Sequence, residues 1–184
     1  MMRAEPWQTA EVPYVIKSMP ATEARRVAAI LKAARRPLIV VGDRIRTYRV
    51  GDTDPLDLVL EIARAVNATV NVTGPLIVEV RKRGYEKAYL MPLMEVIDRL
   101  RDPEWKGHDG EGRYDLAVFI GFPYYFEWVA LNGLKHFAPD RGFRTLTLDP
   151  HYQPNSTFSL VNMPLEKWVE FIKEVIGILK GESK

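Results

Sequence analysis

The residue types that chemistry requires concentrate in a few short segments. Gly42 and Asp43 follow the aliphatic run Leu38-Ile39-Val40-Val41, and a glycine there lets backbone approach a bound group closely. The segment is not G-x-G-x-x-G, so Gly42 reads either as part of a nucleotide phosphate site or as a tight turn. Gly121-Phe122-Pro123-Tyr124-Tyr125-Phe126 sets a glycine before a group of aromatic rings. Such rings offer a stacking surface to a flavin or adenine, or anchors to a partner protein, and their enrichment at interfaces favours the partner. Asp149-Pro150-His151-Tyr152-Gln153-Pro154-Asn155 puts an acid where nucleotide-binding folds hold a ribose hydroxyl. Asp149 would serve equally as a turn cap, and His151 as a surface residue. No serine, cysteine or second carboxylate is placed by the sequence to form a nucleophile and base pair with His151.

Other chemistry is bounded by composition. The chain has 0 cysteines, so it cannot by itself supply the thiolates of iron-sulfur clusters, thiolate-held nickel or Cys-type zinc. Its 3 histidines, His108, His136 and His151, are far apart and not at H-E-x-x-H spacing. The expectation is therefore no catalytic residue and no metal site on this chain. Lys plus Arg number 26 against 24 Asp plus Glu, a net charge of +2, which gives no electrostatic footprint for nucleic acid. Arg81-Lys82-Arg83 reads as a solvated turn. No apolar run approaches the roughly 18 residues of a membrane span, and the start, Met1-Met2-Arg3-Ala4-Glu5-Pro6, lacks a signal peptide's apolar stretch, so a cytoplasmic location is expected.

The elements that must position these segments follow from periodicity. At 184 residues, 47% hydrophobic and 27% charged, the chain suits one folded domain. Residues 1–20, with Pro6, Pro13 and Pro20, read as an extended arm, and residues 21–184 as the domain. Thr22 offers an N-cap to a helix over 21–35, whose Val27, Ile30, Leu31 and Ala34 form an amphipathic stripe before Pro37. Residues 38–41 are a strand buried on both faces. Asp54-Pro55 caps a helix carrying Leu56, Val59, Leu60 and Ala63, and Thr69–Val72 is a short strand closed by Gly74-Pro75. Residues 76–90 receive no assignment, although Ile77-Val78-Glu79-Val80 has strand propensity. Leu93, Val96, Ile97 and Leu100 mark a helix, 102–113 an exposed loop, and Leu116–Ile120 a second apolar strand. A helix over 122–138 carries Phe126, Val129, Ala130, Leu134 and Phe137; 145–148 is another strand; and a final helix from Pro164 buries Leu165, Trp168, Val169, Ile172, Ile176 and Leu179.

Apolar strands alternating with helices predict a single-domain, Rossmann-like α/β fold, an open parallel sheet with helices on both faces. Ligands of such sheets sit outside the carboxyl ends of the strands. The rim so defined gathers the candidate cofactor-binding residues Gly42, Asp43, Gly74, Gly121, Phe122, Tyr124, Asp149 and Asn155.

Three segments together carry a family resemblance: Arg36-Pro37 through Gly42, Tyr114-Asp115 through Gly121 with Tyr124-Tyr125, and Leu148-Asp149 through Asn155 leading to Asn162 and the Trp168 helix. From about residue 21 onward the chain resembles the archaeal epsilon subunit family of acetyl-CoA decarbonylase/synthase, also called the carbon monoxide dehydrogenase epsilon subunit. The resemblance implies a small subunit of the DHS-like NAD/FAD-binding type and a large partner, the alpha subunit, which carries the nickel-iron-sulfur cluster. It further implies an α2ε2 carbon monoxide dehydrogenase component, stabilised by the epsilon subunit, with help in passing electrons to FAD. When isolated, the chain is a candidate homo-oligomer.

Two rivals stand beside this reading. Helix-Arg-Pro-aliphatic-Gly also resembles the entry of the central flavin- or nucleotide-binding domain of thiamine-diphosphate enzymes, a class that needs flanking domains for which 184 residues leave no room. A free-standing deacetylase-like hydrolase would need a glycine-rich phosphate loop and a catalytic histidine environment, and neither is visible.

Overall fold

The computed structural model of the chain describes residues 16–138 and 142–181. Its strands are β1 (Met19–Pro20), β2 (Pro37–Val41), β3 (Thr69–Val72), β4 (Ala88–Leu90), β5 (Leu116–Ile120), β6 (Arg144–Thr147) and β7 (Phe158–Ser159). Its helices are α1 (Ala24–Ala33), α2 (Pro55–Ala65), α3 (Leu76–Lys82), α4 (Leu93–Arg101), α5 (Tyr124–Phe137) and α6 (Leu165–Lys180). The strands form one 7-stranded sheet in the order β1-β7-β6-β5-β2-β3-β4, with every pairing parallel. This is the open, helix-covered α/β sheet expected from the sequence. Among the described residues no helix is long and apolar enough to cross a membrane.

β2 and β5 lie at the centre and are buried at every position, which is why both read as uninterrupted apolar runs. Alternation along them feeds two cores. Ile39, Val41, Val118 and Ile120 face α1, α2, α3 and α6, whereas Leu38, Val40, Ala117 and Phe119 face α4 and α5. Successive side chains on a strand point to opposite faces, so one run serves both layers. The chain leaves β2 toward β3 and β4 and leaves β5 toward β6 and β7, so the switch point of the sheet lies between β2 and β5.

Local rules explain most elements. α2 starts where Asp54 accepts the Leu56 amide at 2.9 Å and Pro55 occupies the first turn. At α1 the helix begins later than the sequence suggests. Glu23, not Thr22, holds the N-cap position, and its side chain makes no capping bond. Ile77-Val78-Glu79-Val80 lies in helix α3 rather than in a strand. The place beside β3 is taken by β4, and Leu76 and Val80, four apart, bury on one side while Val78 is exposed, so packing overrides β-branched propensity.

On α5 the buried face is Glu127, Ala130, Leu131 and Leu134. Val129 and Phe137, among the apolar residues that mark this helix in the sequence, point outward. Residues 1–15 of the expected arm lie outside the described residues; its end supplies β1, which pairs with β7 at the edge of the sheet.

Candidate functional site

At the switch point the ends of the two central strands touch. The Gly42 amide donates to the Ile120 carbonyl at 2.8 Å, and the Arg44 amide donates to the Gly121 carbonyl at 3.0 Å. A methyl group added at Gly42 would fall 2.2 Å from the Gly121 carbonyl oxygen and 2.6 Å from the Phe122 ring. At Gly121, where φ is +81°, it would fall 2.6 Å from the Gly42 carbonyl oxygen. Both positions therefore require glycine for the approach of one strand end to the other. The Gly121 amide is also engaged, donating to Asp149 Oδ1 at 2.7 Å.

On the β3 and β4 side of this contact an open groove of about 940 Å³ runs along the carboxyl ends of the strands. Leu90, Met94, Phe122 and Phe126 make its apolar walls, while Asp43, Arg44 and Gly74 lie at its polar side. Leu90 and Met94 are exposed, and Phe122 is buried. A long, mostly apolar surface with a guanidinium at its mouth suits a flat ring system carrying an anionic tail.

On the β6 side lies a pocket of opposite character. Glu127 of α5 and Asp149, just beyond β6, are both fully buried. Thr147 Oγ1 donates to Glu127 Oε1 at 3.1 Å, and Gln153 Nε2 donates to Glu127 Oε2 at 3.2 Å and to the Tyr124 carbonyl at 2.9 Å. Burial and the neighbouring Asp149 charge hold the Glu127 carboxyl well above the ordinary glutamate range. His151 Nε2 stands 4.0 Å from Glu127 Oε2 and 3.9 Å from Asp149 Oδ2, beyond hydrogen-bond reach. Burial pushes the His151 pKa down, against the pull of Asp149, which favours the neutral imidazole. Tyr48, whose ring meets Trp168 edge-on at 5.5 Å, points its hydroxyl at this pocket, and burial followed by the Asp149 charge pushes its pKa up.

Gly42, Asp43, Gly74, Gly121 and Phe122 thus gather around the crevice and the groove. Asp149 and Tyr124 fall on the other side of Gly121, where Tyr124 packs edge-on against His151 with ring centroids 5.4 Å apart. Asn155 is not brought to the rim groove. It is buried, donates to the Trp128 carbonyl at 3.2 Å, and lines a separate cavity of about 410 Å³ with Lys17, Leu134 and Phe143. Sequence reasoning missed Glu127 and Tyr48. The signal for Glu127 was present: with Ala130, Leu131 and Leu134 it completes the i, i+3, i+4, i+7 face of α5, so a lone acid sits on the buried stripe.

The outer face of α5 is apolar. Tyr125, Val129 and Phe137 are 74%, 52% and 62% exposed, and Tyr124 is partly exposed beside them.

A family model described as CO dehydrogenase beta subunit/acetyl-CoA synthase epsilon subunit matches residues 1–176. The chain is 31% identical over 173 residues to the acetyl-CoA decarbonylase/synthase complex subunit epsilon of Methanothermobacter thermautotrophicus, covering 94% of this chain and 95% of that one. It is 28% identical over 178 residues to the subunit epsilon of Methanothrix soehngenii, covering 92% and 91%. To subunit epsilon 1 of Archaeoglobus fulgidus it is 31% identical over 174 residues, covering 90% and 87%.

Proposed function

Because this chain belongs to the CO dehydrogenase beta subunit/acetyl-CoA synthase epsilon subunit family, we propose that it serves as the epsilon subunit of an acetyl-CoA decarbonylase/synthase complex. In this reading it binds the carbon monoxide dehydrogenase alpha subunit, which converts CO and water to CO2, protons and electrons. The small subunit contributes stability and docking, and the metal-cluster redox chemistry stays on the large one. The observation that carries the reading is kinship along nearly the whole chain, 94% of it in the comparison with the Methanothermobacter protein. A chain with 0 cysteines agrees with that division, since it has no thiolate to offer a nickel-iron-sulfur cluster.

The outer face of α5 is the surface we assign to the alpha subunit. Tyr125 and Val129, one turn apart, with Phe137 near the helix end, expose apolar area to water, and burying it against a partner is favourable. The groove beside Phe122 and Phe126 is the place we assign to FAD. Its volume of about 940 Å³ is at the upper end of the several hundred to roughly 1,000 Å³ typical of ligand sites. The Gly42 and Gly121 amides are already committed within the fold, so the contacts to a pyrophosphate would come from groups such as Arg44.

Reconstitution tests the role. CO oxidation by the alpha subunit should survive heating longer with this chain present than without it. Equal rates of loss in both preparations would remove the stabilising role.

A further inference from the structure

The pocket formed by Glu127, Asp149, His151 and Tyr48 holds more unpartnered polar atoms than a packed core tolerates. Among the described residues Asp149 Oδ2, His151 Nε2 and the Tyr48 hydroxyl are buried without a well-formed hydrogen bond, although Asp149 lies close enough to both Tyr48 and Glu127 to interact with them. The two carboxylates are 0% exposed and Tyr48 is 5% exposed. A buried orphan of this kind is costly, and more so when charged. Convergence of several on one point signals a group that belongs among them.

Charge points the same way. Two adjacent buried carboxylates call for compensating positive charge. Among the described residues the only base within ion-pair distance of either is His151, at 3.9 and 4.0 Å. Arg44, the guanidinium that acts on this pocket electrostatically, is exposed and makes no ion pair with either acid among the described residues.

The spacing then selects the occupant. His151 Nε2 lies 3.9 and 4.0 Å from the two carboxylate oxygens. That is too long for a hydrogen bond and about half an ångström wider than the roughly 3.3–3.6 Å between donor atoms that bonds of about 2.0–2.2 Å give on a tetrahedral ion, so a small inward turn of the His151 ring completes the set. One ligand atom from each of Glu127, Asp149 and His151 lies within 4.8 Å of the others. An imidazole with two carboxylates suits zinc and its first-row neighbours better than calcium or magnesium, which take oxygen donors. The supporting shell is also in place. Thr147 and Gln153 orient Glu127, and the Gly121 amide fixes Asp149, as outer partners of metal ligands do.

We infer that Glu127, Asp149 and His151 form a binding site for one divalent ion of the zinc class, with the Tyr48 hydroxyl facing it and entry past the His151 ring. The ion neutralises the buried carboxylates and, through Asp149 and Gly121, clamps β6 to the switch point. This is a mononuclear site without thiolates, distinct from any iron-sulfur chemistry, and it does not depend on which partner the chain has.

The test uses the purified full chain, stripped with chelator and titrated with ZnCl2 or CoCl2. The expected result is one ion retained per chain after gel filtration, visible d–d absorption from bound Co2+, and a higher Tm. Asp149→Asn keeps an acceptor for the Gly121 amide, and His151→Ala removes a ligand at the rim, so both should fold. Each should weaken binding by roughly tenfold or more. Failure of the wild type to retain zinc or cobalt would overturn the site, leaving a proton shared by the two carboxyls as the occupant. Retention unchanged in both variants would overturn it too, by placing the ion elsewhere.

Discussion

The Asp149 carboxylate reaches back from the end of β6 to accept the Gly121 amide at 2.7 Å, so the terminus of one central strand is held by the terminus of its neighbour. The same glycine packs against Gly42 from the other side. Everything at this rim, groove and acid pocket alike, is built around that double contact.

Gly42→Ala should be costly although its backbone is unstrained. Its φ is −92°, and the cost comes from driving a methyl group to 2.2 Å from a backbone oxygen. Overpacking of this kind costs about 1–3 kcal/mol. Gly74→Ala, at φ +61° with open space around it, should cost only the left-handed conformational penalty of roughly 1–2 kcal/mol. Urea unfolding measures both, and a Gly42→Ala protein as stable as wild type would show that the strand ends separate freely.

Tyr125 and Phe122 should separate docking from folding. Tyr125→Ala removes a side chain that is 74% exposed and should leave the Tm of the isolated chain within a degree or two while weakening partner binding. Phe122→Ala empties a buried position and should cost about 3–5 kcal/mol. A large loss of Tm in the Tyr125 variant would assign that ring to the fold.

Asp54 has two jobs that a pair of variants distinguishes. Its carboxylate caps α2 through the Leu56 amide and meets Arg49 and Arg83, each at 2.9 Å. Asp54→Asn keeps the cap and loses surface ion pairs, which are worth roughly 0–1 kcal/mol and fall with salt. Asp54→Ala loses both and should cost about 1 kcal/mol more. Equal destabilisation by the two variants would show that the cap contributes nothing.

His108 predicts a pH dependence. Its ring stacks on Tyr89 with centroids 4.6 Å apart, and burial lowers its pKa despite Asp109 and Glu95 nearby. The unfolded chain therefore takes up the proton first as pH falls below the ordinary value of 6.5. Stability present above that value is lost progressively toward the lower folded pKa. Subtracting the stability curve of His108→Gln from that of the wild type isolates this contribution, and a flat difference between pH 7 and pH 5 would contradict it.

The fluorescence of a flavin should change when it binds in the groove and stacks against the apolar wall. Titration with the isolated chain measures this, and Met94→Glu, which puts a carboxylate on the apolar wall, should abolish the effect. A fluorescence change unaltered by Met94→Glu would move the flavin elsewhere.

Much of the fold was legible because it is local. Leu93, Val96, Ile97 and Leu100 form the buried face of α4, and the runs that became β2 and β5 are buried throughout. The short strands β1, β4 and β7 were not legible, since 2 or 3 residues carry no period and their pairing is set by distant chain. On α5 the aromatic residues drew attention to the outer face, while the buried face is Glu127, Ala130, Leu131 and Leu134, whose lone acid the aromatic loading obscured. The rim glycines were found because a strand-end glycine is a sequence signal. The acid pocket was not, because it joins positions 48, 127, 149 and 151, and the spacing rules that screen histidines act only within one element.

Native mass spectrometry of this chain co-expressed with a carbon monoxide dehydrogenase alpha subunit decides whether the two polypeptides assemble. The expected species is a complex of two copies of each polypeptide that Tyr125→Ala weakens without unfolding the small subunit. The two proteins running as separate species at micromolar concentration, with both folded, would contradict this assembly.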